Sequence, residues 1–270
     1  MGTWEYRNPP VWEAAVGASL RQATLYDHYE VADIHKLFSD QFPRAERQPP
    51  MMPLQLFRSV YGDSQAGDAF EYSGALPARW WFTTEDSRNV LQLQDDFIGR
   101  NWRRTDQSAA PQQGYPGFEG LLADVRFAVD KFNEFNKEKY RSTPDPAIFD
   151  VVYVNHLFAS RGDGSVRRFR DIAPWMNFTD DIRKGDMSVS WFEGGSDFST
   201  SIRAHFVGVK SGAMRPDGGE DFHPALRFEI NARGECASWP EFYEKCATAH
   251  DYMRGRLLAL TSEEVQATWL

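Results

Sequence analysis

The sequence predicts an α+β protein made of two similar β-α-β-β-β-α halves, which form a curved antiparallel sheet with helices packed on one side. Three observations carry this prediction. Apolar residues recur at helical spacing over two long stretches, Phe118 to Phe135 and Phe242 to Leu260. Runs rich in aromatic and β-branched residues lie between them, separated by polar, Gly- and Pro-containing links. The order strand, helix, three strands, helix occurs on both sides of Thr143-Pro144-Asp145-Pro146. The halves, residues 1–145 and 146–270, share this order without residue-level identity, and one compact module is expected.

Asn8-Pro9-Pro10 precedes a first strand, Val11 to Leu20, with Glu13 on its less buried side. Val31, Ile34, Leu37, Phe38 and Phe42 lie at helical spacing, and Pro43 stops that helix. Residues 44–53 are charged and Pro-rich and read as a connection. Leu54 to Tyr61 reads as a strand, and Gly62 to Gly74 as a polar link. Trp80 to Thr84 and Val90 to Gln94 form a hairpin through a turn without glycine. Phe97 and Asn101-Trp102-Arg103 follow at the strand exit, and Thr105 to Gly114 reads as a polar loop. Pro116 suits the first turn of a helix and Glu119 its dipole, while Leu121, Val125, Val129 and Phe132 trace its apolar face.

In the second half Phe149 to Phe158 reads as a strand. Phe169, Ile172, Trp175 and Met176 mark a short helix that Pro174 interrupts. Met187 to Phe192, Ser201 to Val209 and Ala225 to Ala232 read as strands, with Gly194-Gly195 and Gly218-Gly219 in their connections. Pro240 opens the last long helix, which carries Cys246, Ala249, Met253 and Leu257. Thr261 with Glu264 makes a capping-box pattern for a short closing helix.

A chain of 270 residues is long enough to bury a sizeable core. With 14% aromatic and 26% charged residues, it is neither disordered nor of low complexity. A net charge of -9 argues against broad contact with nucleic acid or anionic membrane. The short basic clusters, Arg100 to Arg104 and Arg167 to Arg170, read as solvated faces. Cys236 and Cys246 have neither zinc-site nor disulfide-framework spacing, and free thiols fit a reducing compartment. Residues 1–10 carry no apolar signal region, and no run approaches the ~20 apolar residues that span a bilayer. The expectation is a soluble, cytoplasmic protein without membrane contact.

Motifs of known chemistry are missing. His28, His35, His156, His205, His223 and His250 form no His-x-x-x-His, His-x-His or His-Glu-x-x-His pattern. Asp221-Phe222-His223-Pro224 sets a carboxylate near an imidazole on a loop, a pairing that arises readily by chance. Asp95 and Asp96, read on a strand, point to opposite faces and do not share a proton; Asp180-Asp181 is a further adjacent pair. Glu263-Glu264 answers a helix dipole. No nucleophile elbow and no phosphate loop occurs, so no catalytic residue, metal ligand or cofactor is assigned.

The aromatic stretch from Arg79 to Tyr115 is the serious candidate. Alternation sets Trp80 and Phe82 on one face with Trp81 on the other, and Leu91 and Leu93 opposite Gln92 and Gln94. Cross-strand core packing accounts for most of these aromatics. A binding platform accounts for the face that shows Gln92 and Gln94. Gln92, Gln94, Asn101, Trp102, Arg103, Tyr115 and Asn155 are the candidate contacts for a ligand or partner.

Several of these residues belong to a wider pattern: Asn8-Pro9-Pro10-Val11-x-Glu13, Leu91-Gln92-Leu93-Gln94, Phe97, Asn101-Trp102-Arg103, Tyr115-Pro116-x-x-Glu119, Phe132 and Phe135, Tyr153-Val154-Asn155, and His250, Leu257 and Thr261. The pattern resembles a sporadically distributed bacterial protein family with no assigned activity, over nearly the whole chain. The resemblance implies a bacterial, soluble, single-module protein encoded on mobile or defence-associated DNA, and it implies no catalytic residue. His156 departs from it, since an apolar or basic residue more often follows the asparagine.

The leading expectation is non-enzymatic binding, of a partner protein above all or of a small ligand, on the concave sheet face or through the loop from Asn101 to Tyr115. The alternative is an enzyme that uses a pocket on that face and draws on His156, His205, His223 and nearby carboxylates. A third reading, a sheet that straddles nucleic acid, requires basic residues gathered on one face despite the net charge of -9.

Overall fold

The computed structural model describes residues 9–24, 26–57, 78–105, 114–159, 168–175, 188–195, 197–214 and 220–269, with the backbone alone for 208–214 and 220–224. Its strands are β1 (Val11–Leu20), β2 (Arg44–Gln48), β3 (Arg79–Thr83), β4 (Asn89–Gln94), β5 (Phe97–Arg103), β6 (Pro146–Phe158), β7 (Ser188–Gly194), β8 (Ser199–Met214) and β9 (Glu220–Glu235). They form one sheet in the order β2-β3-β4-β5-β1-β6-β9-β8-β7, with every neighbouring pair antiparallel. The helices are α1 (His28–Lys36), α2 (Gly117–Tyr140), α3 (Phe169–Ile172), α4 (Trp239–Leu260) and α5 (Glu263–Gln266), followed by a 3-10 turn at Ala267–Trp269. The α+β class is as the sequence predicts.

The two faces of the sheet differ because its strands alternate. Val16 of β1, Ile98 of β5, Val151 of β6 and Ile230 of β9 turn to one face, where α2 lies over β1 and β5 and α4 over β6 and β9. Phe132, Phe149, Phe228 and Phe242 are fully buried in this core. Burial of each such ring contributes about 1.5–3 kcal/mol of transfer free energy. The opposite face carries Trp81, Gln92, Asn101, Glu13, Asp150 and Arg233.

Local chemistry explains the helix ends. Asp27 accepts from the Glu30 amide while the Glu30 carboxylate accepts from the Asp27 amide, a reciprocal cap for α1. Pro116 precedes α2 and supplies no side-chain cap, and Gly117 follows it at φ +74. Arg141 ends α2 in the left-handed region. Ser238 caps α4, with Pro240 in the first turn.

The structure corrects several expectations. Residues 44–48, read as a connection, form the edge strand β2. Its charges and the following Pro49-Pro50 suit an edge that must not pair further, and they erase the apolar alternation by which strands are recognised. Phe97 to Arg103, read as a strand exit, is the complete strand β5. Its pattern is broken by Gly99, over which the Phe97 ring lies, and by Arg100, which is buried yet reaches Asp124 of α2 at 2.6 Å and lies over the Phe42 ring. Residues 54–57 are not strand, and 58–61 fall outside the described residues. Asp95-Asp96 lies in the β4–β5 turn rather than on a strand. Asp221 to Pro224 belongs to β9 and not to a loop; Pro224 pairs with Gly208 of β8, one residue beyond the last β6 partner of β9, where no second ladder bond is needed. Ser262, not Thr261, caps α5, and the Thr261 hydroxyl donates to the Leu257 carbonyl at 2.8 Å. Residues 62–74, 106–113, Met176, Asp180-Asp181, Met187 and Gly218-Gly219 fall outside the described residues.

Candidate functional site

A cavity of about 500 Å³ opens on the helix face where β1, β6 and β9 meet the start of α2 and the second half of α4. Each wall follows from local sequence. On β6, alternation turns Tyr153 and Asn155 to the helix face, opposite Ala14 and Val11 of β1. A bulge leaves Trp12 without a partner on β6, while its carbonyl accepts from the Arg104 amide, and sets Val11 on the cavity wall. On α4, His250, Met253, Arg254 and Leu257 recur at one-turn spacing and so share a side. Tyr115 to Phe118 bring the start of α2 to the rim, and Trp269 closes the C-terminal side.

Three polar side chains form a chain of hydrogen bonds. Tyr115 Oη donates to Tyr153 Oη at 3.3 Å, and Tyr153 Oη lies 3.0 Å from His250 Nδ1. With Tyr115 donating, the Tyr153 proton is free for Nδ1, which leaves the imidazole proton on Nε2. The His250 ring stacks on Phe118, with centroids 4.1 Å apart and planes 3° from parallel. Tyr115 leans against Trp102 at 5.0 Å.

Burial sets the charge state of this chain. It pushes the Tyr115 phenol up to about 12, pushes Tyr153 well above the ordinary phenol value, and holds His250 down at about 4. All three are neutral near pH 7. They donate and accept hydrogen bonds but supply no charged base or nucleophile. Arg254 is the charged group on the wall among the described residues.

The candidate residues divide between the two faces. Tyr115 and Asn155 line the cavity; Asn155 is buried, and its Nδ2 makes a long bond of 3.4 Å to the Phe228 carbonyl. Trp102 is buried behind Tyr115 as part of the core. Gln92 and Asn101 lie on the opposite face in a closed network. Gln92 Oε1 accepts from Trp81 Nε1 at 3.2 Å, Gln92 Nε2 donates to Asn101 Oδ1 at 2.5 Å, and Asn101 Nδ2 donates to Glu13 at 3.0 Å. Gln94 holds both backbone groups of Met51, at 2.8 and 2.9 Å. Arg103 donates to the Ser87 carbonyl and lies over Trp81. These amides fix strands and the 51–57 segment, which runs below the sheet to Phe57 beside Phe192 of β7.

Tyr153, His250 and Arg254 are site residues that motif reasoning passed over. The signal was the α4 stripe, in which a histidine and an arginine interrupt an otherwise apolar side. The other histidines do not assemble. His156 and His205 flank Arg227 across β6, β9 and β8 without a hydrogen bond to each other, and His156 stacks under Trp12 with both ring nitrogens buried and unpartnered among the described residues. The His223 side chain falls outside the described residues. No group of three His, Cys, Asp or Glu side chains able to hold a metal occurs among the described residues. No described helix is long and apolar enough to cross a membrane.

Compared with protein-family models and with curated proteins, the chain matches none.

Proposed function

We propose that the protein binds a small molecule, without converting it, in the cavity between α2, α4 and the centre of the sheet. The observation that carries this reading is the Tyr115–Tyr153–His250 hydrogen-bond chain set into a mostly apolar cavity of about 500 Å³. That volume falls in the ~300–1,000 Å³ range of small-molecule sites, where a few polar groups orient an apolar ligand. The neutral state of the three groups favours recognition over acid–base work, which needs a group that titrates near the working pH. Ligand-observed NMR of a fragment library against the wild type and Leu257→Trp tests it. Fragments should bind the wild type and lose binding in the variant, with a circular-dichroism melt to verify its fold. Equal binding to both would remove the cavity from the account.

A second reading, docking of a partner protein, draws on the opposite face. Leu56 and Phe192 are exposed there, with Phe57 packed beside Phe192. It agrees with the resemblance to a bacterial family tied to mobile or defence-associated DNA. Retention of one defined partner by the wild type and its loss in Phe192→Glu would support it; equal retention would end it. The strand orders β3-β4-β5-β1 and β7-β8-β9-β6 correspond element by element about the β1–β6 junction, which supports an internal duplication with β2 added to one half.

A further inference from the structure

We propose that the ligand of the cavity is an amphipathic monocarboxylate, a carboxylate head on an apolar body, with Arg254 as its counter-ion; this rests on the small-molecule reading above. Arg254 stands alone on the wall. It makes no hydrogen bond or ion pair among the described residues, whereas Arg100, Arg227, Arg233 and Arg256 each reach a carboxylate within 2.7 Å. Arg256, two residues on, is held by Glu193 of β7. No acidic side chain lines the cavity among the described residues; Asp251 and Glu119 stand outside the wall, near His250 and Tyr153.

The rest of the wall describes the body of the ligand. Val11, Ile230, Met253, Leu257 and Trp269 give it an apolar lining of aliphatic and aromatic groups. Water is poorly held against such a surface, and an alkyl or aryl body displaces it favourably. A planar guanidinium matches a carboxylate in a fork of two hydrogen bonds, which a hydroxyl cannot reproduce. Both tyrosine protons are spent within their own chain, so the neutral donor on this wall for a head-group oxygen is Asn155 Nδ2, which gives one hydrogen to the Phe228 carbonyl and has a second.

Isothermal titration at low salt with sodium octanoate, 1-octanol and sodium acetate tests this on the wild type and Arg254→Gln. The proposal expects octanoate to bind the wild type at least tenfold more tightly than octanol or acetate. Arg254→Gln should weaken octanoate at least tenfold and leave octanol unchanged. Equal affinity for octanoate and octanol, or no effect of Arg254→Gln, overturns the carboxylate while the cavity reading stands. Acetate binding as tightly as octanoate overturns the apolar body. If none of the three probes binds but library fragments do, the ligand class is wrong and the cavity reading survives. If neither the probes nor the fragments bind, both fail.

Discussion

Tyr153 Oη and His250 Nδ1 lie 3.0 Å apart and join the central strand β6 to α4 across the floor of the cavity. Both partners are neutral and mostly withdrawn from water, so the bond orients and stabilises without carrying charge. Tyr153→Phe leaves the imidazole and the Tyr115 hydroxyl without this partner and should cost about 1–2 kcal/mol. Urea unfolding measures it. Combined with His250→Phe the losses should be less than additive, since both substitutions break one bond.

The pH dependence has opposed contributions. Burial raises Asp95 from 3.8 to about 6, so between these values the folded state holds a proton that the unfolded chain has released. Asp95 therefore lowers stability as pH rises through that window, and its ionised form penalises the fold above it. Burial holds His250 near 4 and His156 near 3, against an ordinary 6.5. Between about 6.5 and 4 the unfolded chain binds more protons at these sites, and stability falls as pH falls. Burial also lowers His205 and raises Asp150, so three histidines oppose two carboxyls, and acid destabilises the fold below about 6.5. Asp95→Asn should raise the urea midpoint most at pH 7.5, raise it less at pH 4.5, and steepen the acid loss.

Gly17 and Gly99 face each other across β1 and β5 beneath the Phe97 ring. A Cβ at Gly17 would collide with that ring, and one at Gly99 would approach it to 2.8 Å. Gly17→Ala should cost about 1–3 kcal/mol through the displaced ring. Gly17→Ala with Phe97→Leu should recover part of the loss. A Gly17→Ala protein of wild-type stability would show that the ring moves freely.

Asn101 binds Gln92 and Glu13 on the sheet face away from the cavity. Asn101→Leu leaves both without that partner and should lower stability by about 1–3 kcal/mol, read from the urea midpoint. Binding of fragments to the cavity should be unchanged, since the substitution lies across the sheet. A parallel loss of binding in a protein that remains folded would return this face to the functional site.

The architecture was legible where burial imposes a period. α2 and α4 present one apolar stripe, and β1, β4 and β6 alternate or run apolar against it. Elements without that imprint were missed. β2 is an exposed edge with charges in three of five positions, and β5 hides an arginine and a glycine inside the sheet, the arginine explained by Asp124 of α2 and the glycine by the Phe97 ring folded over it against Gly17 of β1. Two of the seven candidate contacts were legible as cavity residues. Tyr115 and Asn155 stand in the cavity, but Gln92 and Gln94, chosen because amides on a strand face suggest recognition, are spent on Asn101, Trp81 and Met51. His250 and Arg254 belong to the wall because α4 crosses β6 at that height, a tertiary fact that helical periodicity does not contain.

The side-chain methyl of Met253, buried on the cavity wall, gives the most direct reading of the central claim. In methyl-labelled methionine NMR, titration with a bound fragment should shift the Met253 resonance in proportion to occupancy, while the exposed Met52 on the other side of the molecule stays fixed. A fragment that binds without moving Met253 would contradict the account.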